Sequence, residues 1–165
     1  MRIRILIFVL ASSFIMTVPA FAGDDSFTLY LVRHAEKQQD GSRDPVLTDI
    51  GNQRSAKLAS WFSDKNIKDV WSSDYKRTRD TAKPIVSALD LELSLYDPRD
   101  LSAFSAKLMA NQSSAVVVGH SNTTPELARL LCDCEIADMD DSEHDRLIII
   151  SIRDGKAQAK TLQQR

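Results

Sequence analysis

The sequence contains little of what would indicate several common classes of protein. Only two cysteines and five glycines occur among its 165 residues. No glycine-rich phosphate loop and no carboxylate-rich cluster is present, so metal-borne chemistry and nucleotide triphosphate binding have no support. We therefore expect no metal site and no cofactor. Basic and acidic side chains are balanced, 21 against 23, and the absence of a basic tract argues against nucleic acid or an anionic membrane as a partner.

The two cysteines, Cys132 and Cys134, are separated by a single residue. In an oxidising compartment they could form a disulfide, but closing a loop across one residue would be strained. Two cysteines also cannot complete a structural zinc site, and only His144 lies near them in sequence. We interpret both as residues near a helix end, and their oxidation state stays open.

The first 22 residues predict a secretory signal peptide. Arg2 and Arg4 form a basic start, residues 5–18 are apolar, and Ala20-Phe21-Ala22 matches a small-x-small cleavage site. The apolar run is short for a membrane span of about 20 residues. Cleavage after Ala22 leaves residues 23–165, which is 143 of the 165, with 19 basic and 23 acidic side chains. We expect one secreted or periplasmic domain of net charge about −4 with no membrane span.

Apolar runs and amphipathic stretches alternate along the rest of the chain. Residues 27–32 read as a strand buried on both faces, which is typical of the centre of a parallel sheet. Thr48 predicts the N-cap of a helix that ends near Phe62. Further strands are predicted at 69–71, 91–96, 115–118 and 147–152, amphipathic helices lie between them, and a hairpin is predicted through Asp154-Gly155. The alternation predicts an α/β fold, a three-layer α/β/α sandwich with a largely parallel central sheet.

Three of the predicted strands end in polar clusters. Arg33-His34 follows the first, residues 72–77 follow the second, and Gly119-His120 follows a third. The carboxyl ends of parallel strands meet at one edge of a sheet, so two arginines and two histidines should share one pocket there. Guanidinium groups suit phosphate, and an imidazole can act as base, nucleophile or ligand near neutral pH. The pattern predicts a site for a phosphoryl group.

Four stretches in this order resemble the histidine phosphatase superfamily, the phosphoglycerate-mutase-like enzymes. They are Leu31-Val32-Arg33-His34-Ala35-Glu36, residues 44–51, residues 72–82 and residues 118–123. Ala35 stands where the family usually has glycine, and Ser121 follows His120 where one branch has aspartate.

The resemblance implies a two-step phosphoryl transfer through a phosphohistidine. His34 would be the nucleophile, and Arg33, Arg77 and His120 would hold the phosphoryl oxygens. A neutral imidazole nitrogen can attack phosphorus, and the labile P–N bond then lets water complete the reaction. The substrate class that follows is a small-molecule phosphate ester.

The acid that protonates the leaving group has no clear motif. Asp97 is the slight preference and Asp100 the alternative, although a turn-forming Asp-Pro pair explains Asp97 equally well. Glu36 and Ser73 are assigned to substrate binding, with a role as ordinary polar loop residues equally open. His144, next to Asp145-Arg146, is interpreted as part of a solvated loop or of a local ion pair and not as a catalytic residue.

We therefore predict an exported, metal-independent phosphatase. The alternatives are a phosphohistidine phosphatase, a mutase-like phosphotransferase, or a phosphate-binding module without turnover. The substrate and the oligomeric state do not follow from the sequence.

Overall fold

A six-stranded sheet forms the centre of the computed structural model, which describes residues 26–164. The predicted signal peptide lies outside the described residues. The strands are β1 (Phe27–Arg33), β2 (Asp69–Ser73), β3 (Leu93–Tyr96), β4 (Ala115–Gly119), β5 (Arg146–Arg153) and β6 (Lys156–Gln163). The helices are α1 (Asp49–Phe62), α2 (Lys76–Leu89), α3 (Leu101–Asn111) and α4 (Thr123–Cys132).

The strand order is β3-β2-β4-β1-β5-β6. The first four strands in this order are parallel, while β5 pairs antiparallel with β1 and with β6. The largely parallel sheet and the terminal hairpin are as predicted. Because β1, β2 and β4 are parallel neighbours, Arg33 lies opposite Gly119, and Ser72 lies opposite Val118.

Two helical layers cover opposite faces of the sheet, which confirms the predicted three-layer fold. Side chains alternate along each strand, so Val116 and Val118 pack with α1 and α2, while Val117 packs with α3 and α4. Among the described residues, no helix has both the length and the apolar character that a membrane crossing requires.

The loop from β1 into α1 is held by a close approach of two backbone segments. Thr48 caps α1 as predicted, because its Oγ1 accepts a hydrogen bond from the Gly51 amide at 3.1 Å. A Cβ at position 51 would lie 2.3 Å from the Glu36 carbonyl oxygen. Glycine is therefore required here by space, because the neighbouring atom belongs to the backbone and not to a flexible side chain.

The two cysteines form a disulfide, which the sequence analysis left open. Cys132 ends α4, and Asp133 caps this helix in the left-handed conformation with φ of 47°. The turn at Asp133 brings the two Cα atoms to 5.1 Å, within the range that a disulfide spans. The sequence places the pair at a helix end correctly, but its spacing does not reveal this turn.

Candidate active site

Two histidines lie side by side at the carboxyl edge of the sheet. His34 follows Arg33, the last residue of β1, and His120 follows Gly119, the last residue of β4. The His34 amide donates a hydrogen bond to the Gly119 carbonyl at 2.9 Å, which extends the pairing of the two strands by one residue. The two imidazole rings lie edge to face, with centroids 5.5 Å apart.

Arg77 reaches the same place from the first turn of α2. Its Nη2 lies 3.4 Å from His120 Nδ1, its Nη1 lies 3.5 Å from Asp44 Oδ1, and its guanidinium lies over the Tyr75 ring. The Arg77 Nε is buried and has no hydrogen-bond partner within the described residues. The positive end of the α2 dipole adds to the field of the guanidinium.

The four predicted side chains line one cavity of about 360 Å3, called the central cavity below. Arg33, His34, Arg77 and His120 all lie on its wall, so the structure brings them together as the strand ends predict. Their chemical roles remain predictions. Lys37 and Arg99, both exposed, also line this cavity and add further positive charge.

The hydrogen bonds of His34 identify its tautomer. Nδ1 lies 2.7 Å from the Ala35 carbonyl oxygen, and because a carbonyl only accepts, Nδ1 carries the proton. Nε2 therefore holds the lone pair. Burial, together with the charges of Arg33, His120 and Arg77, lowers the pKa of His34 to about 3. His34 is 3% exposed and uncharged at neutral pH, which is the state that a nucleophilic imidazole requires.

A chain of hydroxyl groups fixes the orientation of His120. The Thr78 hydroxyl donates to the Ser73 carbonyl at 2.8 Å. Thr78 Oγ1 can therefore only accept from the Ser73 hydroxyl, which lies 3.1 Å away. The Ser73 oxygen then accepts from His120 Nε2–H at 2.8 Å. Nδ1 is consequently the His120 nitrogen next to Arg77. Burial and the charges of Arg77 and Arg33 lower the pKa of His120 to about 4.

Arg33 is held by the loop between α4 and β5, residues 133–145. Its Nη1 donates to the carbonyl oxygens of Asp140 and Glu143 at 2.8 and 3.2 Å. Its Nη2 lies 3.5 Å from Asp141 Oδ1, and its buried Nε has no partner within the described residues. Arg33 is 4% exposed, so this loop both buries and orients it.

The same loop places His144 half-buried beside His34, which corrects its interpretation as a solvated loop residue. His144 Nδ1 donates to the His34 carbonyl at 3.0 Å, and the two rings lie 5.8 Å apart. The contact joins residues 110 positions apart. Sequence reasoning missed both His144 and the contacts of this loop, because nothing in the local spacing indicates them.

Glu36 and Ser73 do not occupy the places expected of them. Both carboxylate oxygens of Glu36 accept hydrogen bonds from Arg54, at 2.6 to 3.0 Å. Glu36 lines a neighbouring cavity with Lys37 and His144, called the side cavity below, and not the central cavity. Ser73 is fully buried and contacts His120, so it positions that ring and does not line the cavity.

The structure also leaves both predicted acids outside the central cavity. Asp97 is exposed and accepts from Arg99 Nε and Nη2, both at 2.9 Å. Hydrogen bonds from Arg99 lower the pKa of Asp97 to about 2, which is unfavourable for an acid at neutral pH. Asp100 caps α3 by accepting from the Ala103 amide. The assignment of Asp97 as general acid is therefore not supported.

Within residues 26–164, no group of three or more histidine, cysteine, aspartate or glutamate side chains is arranged to hold a metal ion.

The comparison with protein families confirms the resemblance. Residues 29–102 match the model of the histidine phosphatase superfamily (branch 1). The matched segment contains Arg33, His34 and Arg77, while His120 and the loop 133–145 lie beyond it.

Curated relatives match over less than half of the chain. "Probable phosphoglycerate mutase GpmB" of Escherichia fergusonii is 38% identical over 77 residues, which is 43% of this chain and 35% of that protein. "6-phosphofructo-2-kinase/fructose-2,6-bisphosphatase 4" of Rattus norvegicus is 41% identical over 64 residues, 35% of this chain and 14% of that protein. The chain thus spans about a third of the length of the first relative and less of the second.

Solved structures extend the likeness to nearly all the described residues. The protein histidine phosphatase SixA in complex with tungstate superimposes with a TM-score of 0.69 at 20% identity, over 83% of this chain and 97% of that one. The alpha-ribazole phosphatase from Shigella flexneri gives a TM-score of 0.68 at 16% identity, over 84% and 96%. At these identities the likeness shows a common fold.

Proposed function

Because residues 29–102 carry the pattern of the histidine phosphatase superfamily, we propose that this chain is a metal-independent phosphatase of phosphate monoesters that works through a phosphohistidine on His34. One observation carries the proposal. A buried, neutral imidazole with its Nε2 lone pair free lines a cavity with two guanidinium groups and a second imidazole. This combination supplies a nucleophile and the positive charge that a phosphoryl group needs.

The first step forms a bond between His34 Nε2 and phosphorus while the bond from phosphorus to the ester oxygen breaks. The electron pair leaves with the ester oxygen. Arg33 and Arg77 line the central cavity and offer guanidinium N–H groups as donors to the phosphoryl oxygens. Contacts with Asp140, Glu143 and Asp44 hold the two guanidinium groups in place, so little reorganisation is needed when charge spreads over these oxygens.

His120 has a different part in this proposal. A phosphoryl dianion close to Nδ1 favours the protonated imidazole, which opposes the effects of burial and of the two arginines on its pKa. Protonated Nδ1 becomes a donor to a phosphoryl oxygen, while Nε2–H stays bound to Ser73. The Ser73–Thr78 chain thus makes Nδ1 the nitrogen that faces the reaction.

The second step is attack by water on phosphorus, which breaks the P–N bond and returns the electron pair to His34. Exposed residues such as Tyr75 and Lys37 line the central cavity, and this favours hydrolysis over retention of the phosphoenzyme. A mutase must keep its phosphohistidine from water until the second half of the reaction. The geometry therefore supports a phosphatase better than a mutase.

Trapping the intermediate tests the proposal, and the described residues contain three histidines that can be compared. Brief reaction with a 32P-labelled phosphate ester, followed by a denaturing quench, should yield an acid-labile, base-stable adduct. His34→Asn should abolish both adduct and turnover. His144→Asn removes a neighbouring imidazole but should still form the adduct. An adduct that persists in His34→Asn would overturn the proposal.

We further propose that the mature protein acts in the periplasm or outside the cell. The sequence of residues 1–22 supports this, and the Cys132–Cys134 disulfide is typical of proteins in oxidising compartments. Expression of the whole chain should give a secreted or periplasmic protein that begins at Gly23. Recovery of the protein in the cytoplasm with Met1 intact would contradict the proposal.

A further inference from the structure

A phosphatase of alkyl esters needs a proton donor for its leaving group, and the predicted donors lie outside the central cavity. Among the described residues that line this cavity, only one carries a carboxylate, and that residue is Asp141. It comes from the loop 133–145, which no sequence pattern connects with the site. Asp141 is therefore the carboxylate best placed to exchange a proton with a bound ester.

Asp141 is held between the two strand-end clusters. Its Oδ1 accepts from the Ser121 hydroxyl at 2.8 Å and lies 3.5 Å from Arg33 Nη2. Ser121 follows His120 directly, so Asp141 is tied to both sides of the cavity. Its side chain is 92% exposed, and it lines the side cavity as well as the central one. It thus lies at the mouth, where a leaving group must pass if the phosphoryl group is held by Arg33, Arg77 and His120.

We propose that Asp141 is the general acid–base of the reaction, a role that rests on the phosphatase function proposed above. In the first step the carboxylic acid gives its proton to the ester oxygen as the bond from phosphorus to that oxygen breaks. In the second step the resulting carboxylate accepts a proton from the attacking water. The water oxygen bonds to phosphorus, the P–N bond breaks, and Asp141 returns to its acid form.

Comparison of two leaving groups tests this role. An aryl phosphate such as p-nitrophenyl phosphate releases a stable anion, whereas an alkyl phosphate such as glycerol phosphate releases a basic alkoxide that must be protonated. General acid catalysis contributes about 100- to 10,000-fold. Asp141→Asn should therefore lower kcat/KM for the alkyl ester by about 100-fold or more, and for the aryl ester by less than about tenfold.

Asp154→Asn is the matched control, because it makes the same change at an exposed carboxylate in the turn between β5 and β6, outside the central cavity. It should leave both substrates nearly unaffected. Equal losses on both substrates in Asp141→Asn, or no loss on either, would overturn the assignment. The trapped adduct separates this failure from that of the proposed function. Asp141→Asn should still phosphorylate His34 with the aryl ester, whereas a wild-type protein without any adduct would refute the phosphatase itself.

Discussion

Replacement of His34 by asparagine should make the free energy of unfolding depend less on pH in the acidic range. The unfolded imidazole has a pKa near 6.5, and the folded one has a pKa of about 3. Below pH 6.5 the unfolded chain therefore binds a proton that the folded chain does not, and stability is lost progressively until the pH reaches about 3. Above pH 6.5 the contribution is constant.

The size of the effect follows from the two pKa values. Each pH unit between the two pKa values lowers the free energy of unfolding by about 1.4 kcal/mol. His34 alone should therefore make this free energy about 2 kcal/mol smaller at pH 5 than at pH 7.5. This figure at pH 5 is almost the same for any folded pKa below about 4. Because His34 is 3% exposed, solvent does not screen the effect appreciably.

Urea unfolding at a series of pH values, followed by tryptophan fluorescence, measures this difference. Asparagine is chosen because its side-chain amide can still donate to the Ala35 carbonyl. All other titrating groups are common to the two proteins and cancel in the difference. The wild type should lose about 2 kcal/mol more than His34→Asn between pH 7.5 and 5. Parallel stability profiles would refute the depressed pKa of His34.

Two further changes test the elements that support the site. Ser73→Ala removes the acceptor of His120 Nε2–H, so kcat/KM should fall about tenfold. Ser72 is an equally buried serine on β2, and Ser72→Ala should change kcat/KM little. Similar losses in both variants would contradict the proposal that Ser73 positions the His120 ring. Gly51→Ala places a Cβ against the Glu36 carbonyl and should lower the free energy of unfolding by about 1–3 kcal/mol, measured by urea denaturation. An unchanged unfolding midpoint would refute that steric requirement.

The sequence predicted the residues whose position is determined by the backbone. Arg33, His34 and His120 follow directly from strands, and parallel pairing of β1 with β4 brings those strand ends together whatever the side chains do. Arg77 follows from the start of α2. A hydrophobic pattern is enough to predict strand ends, so the basic half of the site can be predicted from the amino-acid sequence alone.

The residues that lie outside the central cavity, and those that the sequence analysis missed, depend on side-chain direction and distant contacts. Asp97 lies in the loop that the sequence indicated, but Arg99 two residues later binds its carboxylate outside the cavity. His144 and Asp141 reach the site from a loop more than 100 residues after His34. Neither an ion pair between neighbours nor the path of an irregular loop has a periodic signal in the sequence.

The way in which Arg33 is held has a consequence for how such a site can diversify. Two of the atoms that fix its guanidinium are main-chain oxygens, those of Asp140 and Glu143, which every amino acid supplies. Mutations in this segment can therefore replace side chains other than that of Asp141, while the main-chain oxygens still accept hydrogen bonds from Arg33. Selection for a new ester could therefore change the contacts with the leaving group without loss of phosphoryl binding by Arg33.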